Sequence, residues 1–208
     1  MPGCGCDSSV QFDGASKSYI RVLWVIIAIN ALMFFIETAA SFASDSMALQ
    51  ADALDFLGDS LTYTITLLAI GHSLRWRASA AMFKGITLAL MGSWVLGSTI
   101  YRIFILASPN EMIMGSVAFL AFSANVTSAL LLLKYRNGDA NVRSVWFCSR
   151  NDAIGNLAVM IAAGMVYGTQ SHWPDLIVAF LMALLFLHSA TLIVLQSMRE
   201  FNTNQVDR

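Results

Sequence analysis

Asp55 and Asp59 stand four residues apart in the stretch ADALDFLGDSLTYTITLLA, residues 51–69, with Asp52 three residues before the first of them. Cys148 and Asp152 stand four apart in WFCSRNDAIGN. A helix puts residues i and i+4 on one face, so each pair offers two metal-ligating side chains from a single turn. Two such pairs on facing helices supply four ligands around one point, enough for tetrahedral coordination of a divalent metal. Three carboxylates and a thiolate carry four negative charges, of which a divalent cation neutralises two. An empty cluster of this kind, held away from water, does not stay fully charged. It holds protons, which metal binding must expel. Residues of these types at this spacing therefore suit the exchange of a metal ion for protons within one cavity.

The elements that must position them are membrane-spanning helices. The chain has 208 residues, of which 57% are hydrophobic and 12% charged. Apolar runs lie near 20–43, 46–71, 82–106, 112–133, 144–168 and 174–196, each long enough to cross a hydrocarbon core about 30 Å thick. The expected fold is all-α: a polytopic six-transmembrane-helix bundle over 18–200, with a tail at 1–17 and a short tail at 201–208. Lys17, Arg21, Arg75, Arg77, Lys84, Lys134, Arg136, Arg143, Arg199 and Arg208 fall on one side of this arrangement. Arg75, Arg77 and Lys84 are placed in the connection between helices 2 and 3. The bias predicts both tails to be cytoplasmic. Helices 2 and 5 then run in opposite directions, which sets Asp55 level with Asp152 and Asp59 level with Cys148, near mid-membrane. A charged side chain at that depth costs roughly 2.5–3.5 kcal/mol even on the lenient insertion scale, so such groups face the bundle interior and mark a pathway.

Several classes of function are excluded by what the chain lacks. No basic patch is interleaved with aromatics, so nucleic acid is not an expected partner. No G-x-x-x-x-G-K-[ST] occurs, which argues against an ATP-driven pump within the chain. The segment MPGCGCDSSVQFDGASK has no basic stretch leading into an apolar core, so it is not a secretory signal. Its Cys4 and Cys6 are either a soft-metal thiolate pair or part of an unstructured tail; two ligands alone do not close a tetrahedral site.

Other polar residues fall inside the spans. Glu37 and Asn30 share a face of helix 1, seven apart. Glu37 is a proton carrier, a support for the metal ligands, or a residue near the outer mouth reaching toward water. Asn125, Asn151 and Asn156 are placed to hydrogen-bond between helices. Arg150 either offsets the charge of the cluster beside Asp152 or faces the cytoplasmic vestibule. Asp45 and His72 lie at span ends; His172 and His188 have no paired ligand at a useful spacing and read as structural. Gly85, Gly92 and Gly97 mark helix 3, and Gly155, Gly164 and Gly168 mark helix 5. They suit close helix packing first and rocking motion second.

SDSMALQADALDFLGDSLTYTITLLA and SVWFCSRNDAIGNLAVMIAAGMVY resemble helices 2 and 5 of the cation diffusion facilitator (cation efflux) family. WPDLIVAFLMALLFLHSATLIVLQS is similar to that family's last helix, with its Pro-Asp near the start. The resemblance covers about residues 18–200. It implies export of divalent transition metals from the cytosol, usually against protons, through an integral multi-pass protein of the cell membrane. The family's transport site takes two residues from helix 2 and two from helix 5, and these fall on Asp55, Asp59, Cys148 and Asp152. Asp52, Glu37, Asn151, Arg150 and His72 are the accessory candidates; the family sometimes places an extra metal site in the loop that holds His72. Cys148 departs from the histidine common in zinc-specific members. Many members also carry a cytoplasmic domain after helix 6 that helps form homodimers; the expectation here is a member with the transmembrane domain alone. A homodimer is expected from the family, and Cys4 and Cys6 are the remaining candidates for sensing cytosolic metal.

Carboxylates favour harder ions and thiolates softer ones. One sulfur among three oxygens suits Zn2+ or Cd2+ best, then Co2+, Fe2+, Pb2+ or Hg2+, and argues against manganese. The metal is cargo; no resident cofactor is expected. Two rival readings use the same acids: an intramembrane aspartyl protease, for which FLGD at 56–59 is a poor match, and a proton-coupled exporter of small organic cations.

Overall fold

The computed structural model describes residues 16–68, 74–104, 108–135 and 140–206. Six long helices run up and down: α1 Lys17–Ser44, α2 Met47–Leu68, α3 Leu74–Ile103, α4 Glu111–Leu132, α5 Ala140–Thr169 and α6 Trp173–Val206. Local chemistry sets several of their ends. Ser16 accepts from Tyr19 N at 3.2 Å and opens α1, and Asn110 accepts from Ile113 N at 3.1 Å and opens α4. Such caps satisfy amides that the first turn leaves free. Asp45 closes α1 in the left-handed conformation, φ 57°, which short polar side chains tolerate. Only Asp45 and Ser46 separate α1 from α2, so the two form a tight hairpin.

Five stretches are long and apolar enough to cross a membrane by themselves, the exception being α2. At about 1.5 Å of rise per residue the 22 residues of α2 still reach across the core; its three aspartates lower its hydropathy. The outer surface is apolar, with Leu32, Phe35, Phe42, Leu90, Trp94, Phe119 and Leu185 all exposed, as lipid contact requires.

The expected spans hold, with one correction that matters. Lys84, counted with the connection although the apolar run begins near 82, lies well inside α3, which starts at Leu74. Hydropathy marks only the apolar part of a helix, and RWRASAAMFK is made largely of good helix formers. The segment counted as a membrane span, Ser79–Ile103, includes Lys84.

α1 packs on α2, α4 on α5, and α1 on α4; α3 packs chiefly along α6, and α2 touches both sets. Two glycines allow α3 and α6 to approach. A Cβ at Gly85 would lie 2.8 Å from Val194 Cγ2 and 3.3 Å from Val194 N, and one at Gly92 would lie 3.0 Å from Leu187 Cγ. Gly97, Gly155, Gly164 and Gly168 have nothing within 4 Å of that position. Gly85→Leu is expected to cost about 1–3 kcal/mol by overpacking, whereas Gly164→Ala costs little. Unfolding temperatures of the purified proteins in detergent would check both.

The far end of the bundle from the termini is fastened by α6. Asp175, in the first turn of α6, reaches the start of α2: it accepts from Ser46 Oγ at 2.6 Å, Met47 N at 2.8 Å and Ala48 N at 3.0 Å. A residue 127–129 positions away in sequence thus caps α2. Asp45, expected at a span end, pairs there with Arg102 at 2.6 Å. That pair is partly exposed and adds little by itself.

Candidate metal site

Asp55 and Asp59 of α2 and Cys148 and Asp152 of α5 line one cavity of about 370 Å³. α3 and α6 close its other walls with Lys84, Thr87, Leu88 and Met91 and with Phe186, Ser189, Leu192 and Ile193. The lining runs from the level of Asp55 toward the ends of α2 and α6 and the starts of α3 and α5. The cavity therefore occupies the half of the bundle that bears the termini. Tyr63, one further turn along α2, is fully buried and donates a short hydrogen bond from its hydroxyl to Asp59 Oδ2. That bond fixes one carboxylate oxygen of Asp59.

All four expected ligands are thus brought to one place. Among the described residues, no three acid, thiol or imidazole groups converge as a ready-made coordination shell. Asp152 Oδ2 is buried without a hydrogen-bond partner.

Asp52 points elsewhere. It is 1% exposed and does not line the cavity. Asn156 Nδ2 donates to both its oxygens, at 2.8 and 2.7 Å, and Asn125 Nδ2 donates to Asn156 Oδ1 at 2.9 Å. This chain joins α2, α5 and α4 immediately beyond the cluster. Glu37 of α1 lies beside Asp52; it is fully buried and neither carboxyl oxygen reaches hydrogen-bond geometry. The reading of Glu37 as a mouth residue reaching for water is therefore wrong, because α1 turns it into the bundle. Asn30, on the same face, is buried too and donates to Ile26 O at 2.9 Å.

Two accessory candidates do not take part. Asn151 and Arg150 are exposed and outside the cavity lining. Arg150 lies over the Trp146 ring at 5.4 Å and donates to Asn151 Oδ1 at 3.3 Å. The basic residue in the cavity wall is Lys84. His188 is exposed, and His172 is stacked on Trp173 at 5.4 Å. Cys4, Cys6 and His72 lie outside the described residues.

Tyr63 and Lys84 were both legible in spacing. Tyr63 continues the step of four through 55, 59 and 63. Lys84, Thr87, Leu88 and Met91 follow the i, i+3, i+4, i+7 pattern of one helix face.

An apolar bundle with acids and a thiol lining an internal cavity is the architecture of a polytopic membrane protein. The chain belongs to the cation efflux family: the cation efflux transmembrane domain matches residues 23–201. It is 29% identical over 203 residues to the zinc transporter ZitB of Yersinia pestis, covering 89% of this chain and 64% of that protein. It is 27% identical over 193 residues to ZitB of Escherichia coli, covering 86% and 62%. It is 23% identical over 196 residues to a cadmium, cobalt and zinc/H(+)-K(+) antiporter of Bacillus velezensis, covering 85% and 60%. The chain thus spans somewhat under two thirds of the length of these relatives.

Proposed function

We propose that this protein is a divalent transition-metal efflux transporter of the cell membrane, with Zn2+ or Cd2+ as cargo and protons as the exchanged ion. The observation that carries this reading is the meeting of Asp55, Asp59, Cys148 and Asp152, from two antiparallel helices, in one internal cavity. The names of the relatives, which include zinc and cadmium, agree with it. The four side chains turn toward a common centre when the metal enters and release protons as they do so. In the described conformation the cavity lies in the terminus-bearing half, which suits loading from the side of the termini. Release requires that half to close and the opposite half to open, through movement of one helix group against the other.

The test is transport into proteoliposomes under a pH gradient, metal by metal, with vesicle pH followed at the same time. Metal uptake coupled to proton movement in the opposite sense supports the proposal. Uptake without proton movement removes the exchange step, and no uptake of any divalent metal removes the whole reading. A peptide-cleavage control addresses the protease alternative. Cys148→Ser is expected to shift preference away from Cd2+ and toward Mn2+, because an oxygen replaces the one soft ligand. An unchanged selectivity profile would take Cys148 out of the site.

A further inference from the structure

The cavity that holds the acids also holds a fixed positive charge. Lys84 lies eleven residues into α3, and its side chain forms part of the wall facing Asp55, Asp59, Cys148 and Asp152. It is half-buried, and among the described residues it makes no ion pair within 4.0 Å. Every other wall residue of α3 and α6 is uncharged. Lys84 is therefore the cation that the cavity itself sets against the acids. A lysine stem is long and flexible and ends in a compact point charge, so it can lean toward the cluster or away from it.

We propose that Lys84 is a tethered counter-cation which competes with the transported metal for the acid cluster and sets the affinity low enough for release. The inference rests on the metal-site reading above. Conduction through a binding site requires an ion to enter readily and also to leave. Three carboxylates and a thiolate would hold a divalent ion tightly, and an ammonium in the same cavity opposes that hold. With no metal present, the ammonium supplies charge the cluster lacks. With metal bound, it repels the ion and favours departure.

Calorimetric titration of Zn2+ into the purified full chain tests this, using Lys84→Met, Lys84→Gln and Lys84→Arg beside the parent. The neutral variants should bind Zn2+ more tightly, by roughly tenfold, as expected for loss of one unit charge near a divalent ion in a partly hydrated cavity. Lys84→Arg, which keeps the charge, should stay within about threefold of the parent. Weaker or unchanged binding in the neutral variants overturns the proposal. Tighter binding in Lys84→Arg as well overturns it too, because charge would then not be the cause. If the neutral variants do not fold, acetylation decides. In a Lys17→Arg, Lys134→Arg background Lys84 is the sole lysine, and the folded protein acetylated there must bind Zn2+ more tightly than before treatment. Asp59→Asn in parallel separates the two readings. If it leaves Zn2+ binding intact, the metal site itself is wrong; if it removes binding and the Lys84 variants match the parent, only the present proposal fails.

Discussion

Alanine at Asp59 or at Asp152 is expected to abolish metal transport and to weaken Zn2+ binding by more than about a hundredfold, beyond what loss of a supporting residue alone does. Each replacement removes one of the four proposed ligands and leaves three, so that a water would have to take the fourth position. The two are not equivalent in detail. Asp59 is held by the Tyr63 hydroxyl, so Asp59→Ala also leaves a buried hydroxyl without its acceptor. Asp152 lines the cavity from α5, opposite Asp55 and Asp59 of α2, so Asp152→Ala removes the carboxylate that α5 contributes. Asp59→Asn, which keeps size and one oxygen, should fail in transport while the protein remains folded. Tyr63→Phe should fall between the parent and these variants. The measurements are metal uptake into proteoliposomes and calorimetric binding on the same preparations. Uptake by Asp152→Ala at the parent's rate would remove α5 from the pathway.

The second large effect is on the fold. Asp175→Ala is expected to destabilise the protein by at least about 3 kcal/mol, since three donors are left in a buried place at roughly 1–3 kcal/mol each. Those donors are Ser46 Oγ, Met47 N and Ala48 N, and Asp175 itself is 1% exposed. Asp175→Asn keeps one acceptor oxygen and should lose about half as much. Because α2 carries Asp55 and Asp59 two to three turns below this cap, the alanine variant should also bind Zn2+ more weakly although it touches no ligand. Thermal unfolding in detergent and Zn2+ titration check the two parts. A melting temperature within error of the parent would show that the cap contributes no net stability.

What could be read in the chain depended on range. The spacing of Asp55 with Asp59, and of Cys148 with Asp152, is a local property of one helix and was plain from four-residue steps. That the two pairs share a cavity followed from counting residues along antiparallel spans. Lys84 falls past the start of the apolar run near 82, but a basic residue so close to a span end counts naturally with the connection; only the start of α3 at Leu74 shows how deep in the helix it lies. Glu37 was given three readings because its position along α1 says nothing of its azimuth; only packing shows that it turns inward beside Asp52. Asp175 stood out as part of a Pro-Asp near the last helix. Its partner is the start of α2, more than a hundred residues away, and no periodicity encodes a contact of that range.

The acids in α2 also bear on how the chain enters its bilayer. The segment holds eight leucine, isoleucine and phenylalanine residues, worth about 5 kcal/mol at most on the insertion scale, against roughly 8 kcal/mol for three aspartates. Alone it would be left in water by the insertion machinery. α1 precedes it across only Asp45 and Ser46 and is amply apolar. The two must therefore be delivered as one hairpin, the strong helix carrying the weak one, with the carboxyls shielded by their neighbours from the moment they leave the ribosome's side of the membrane.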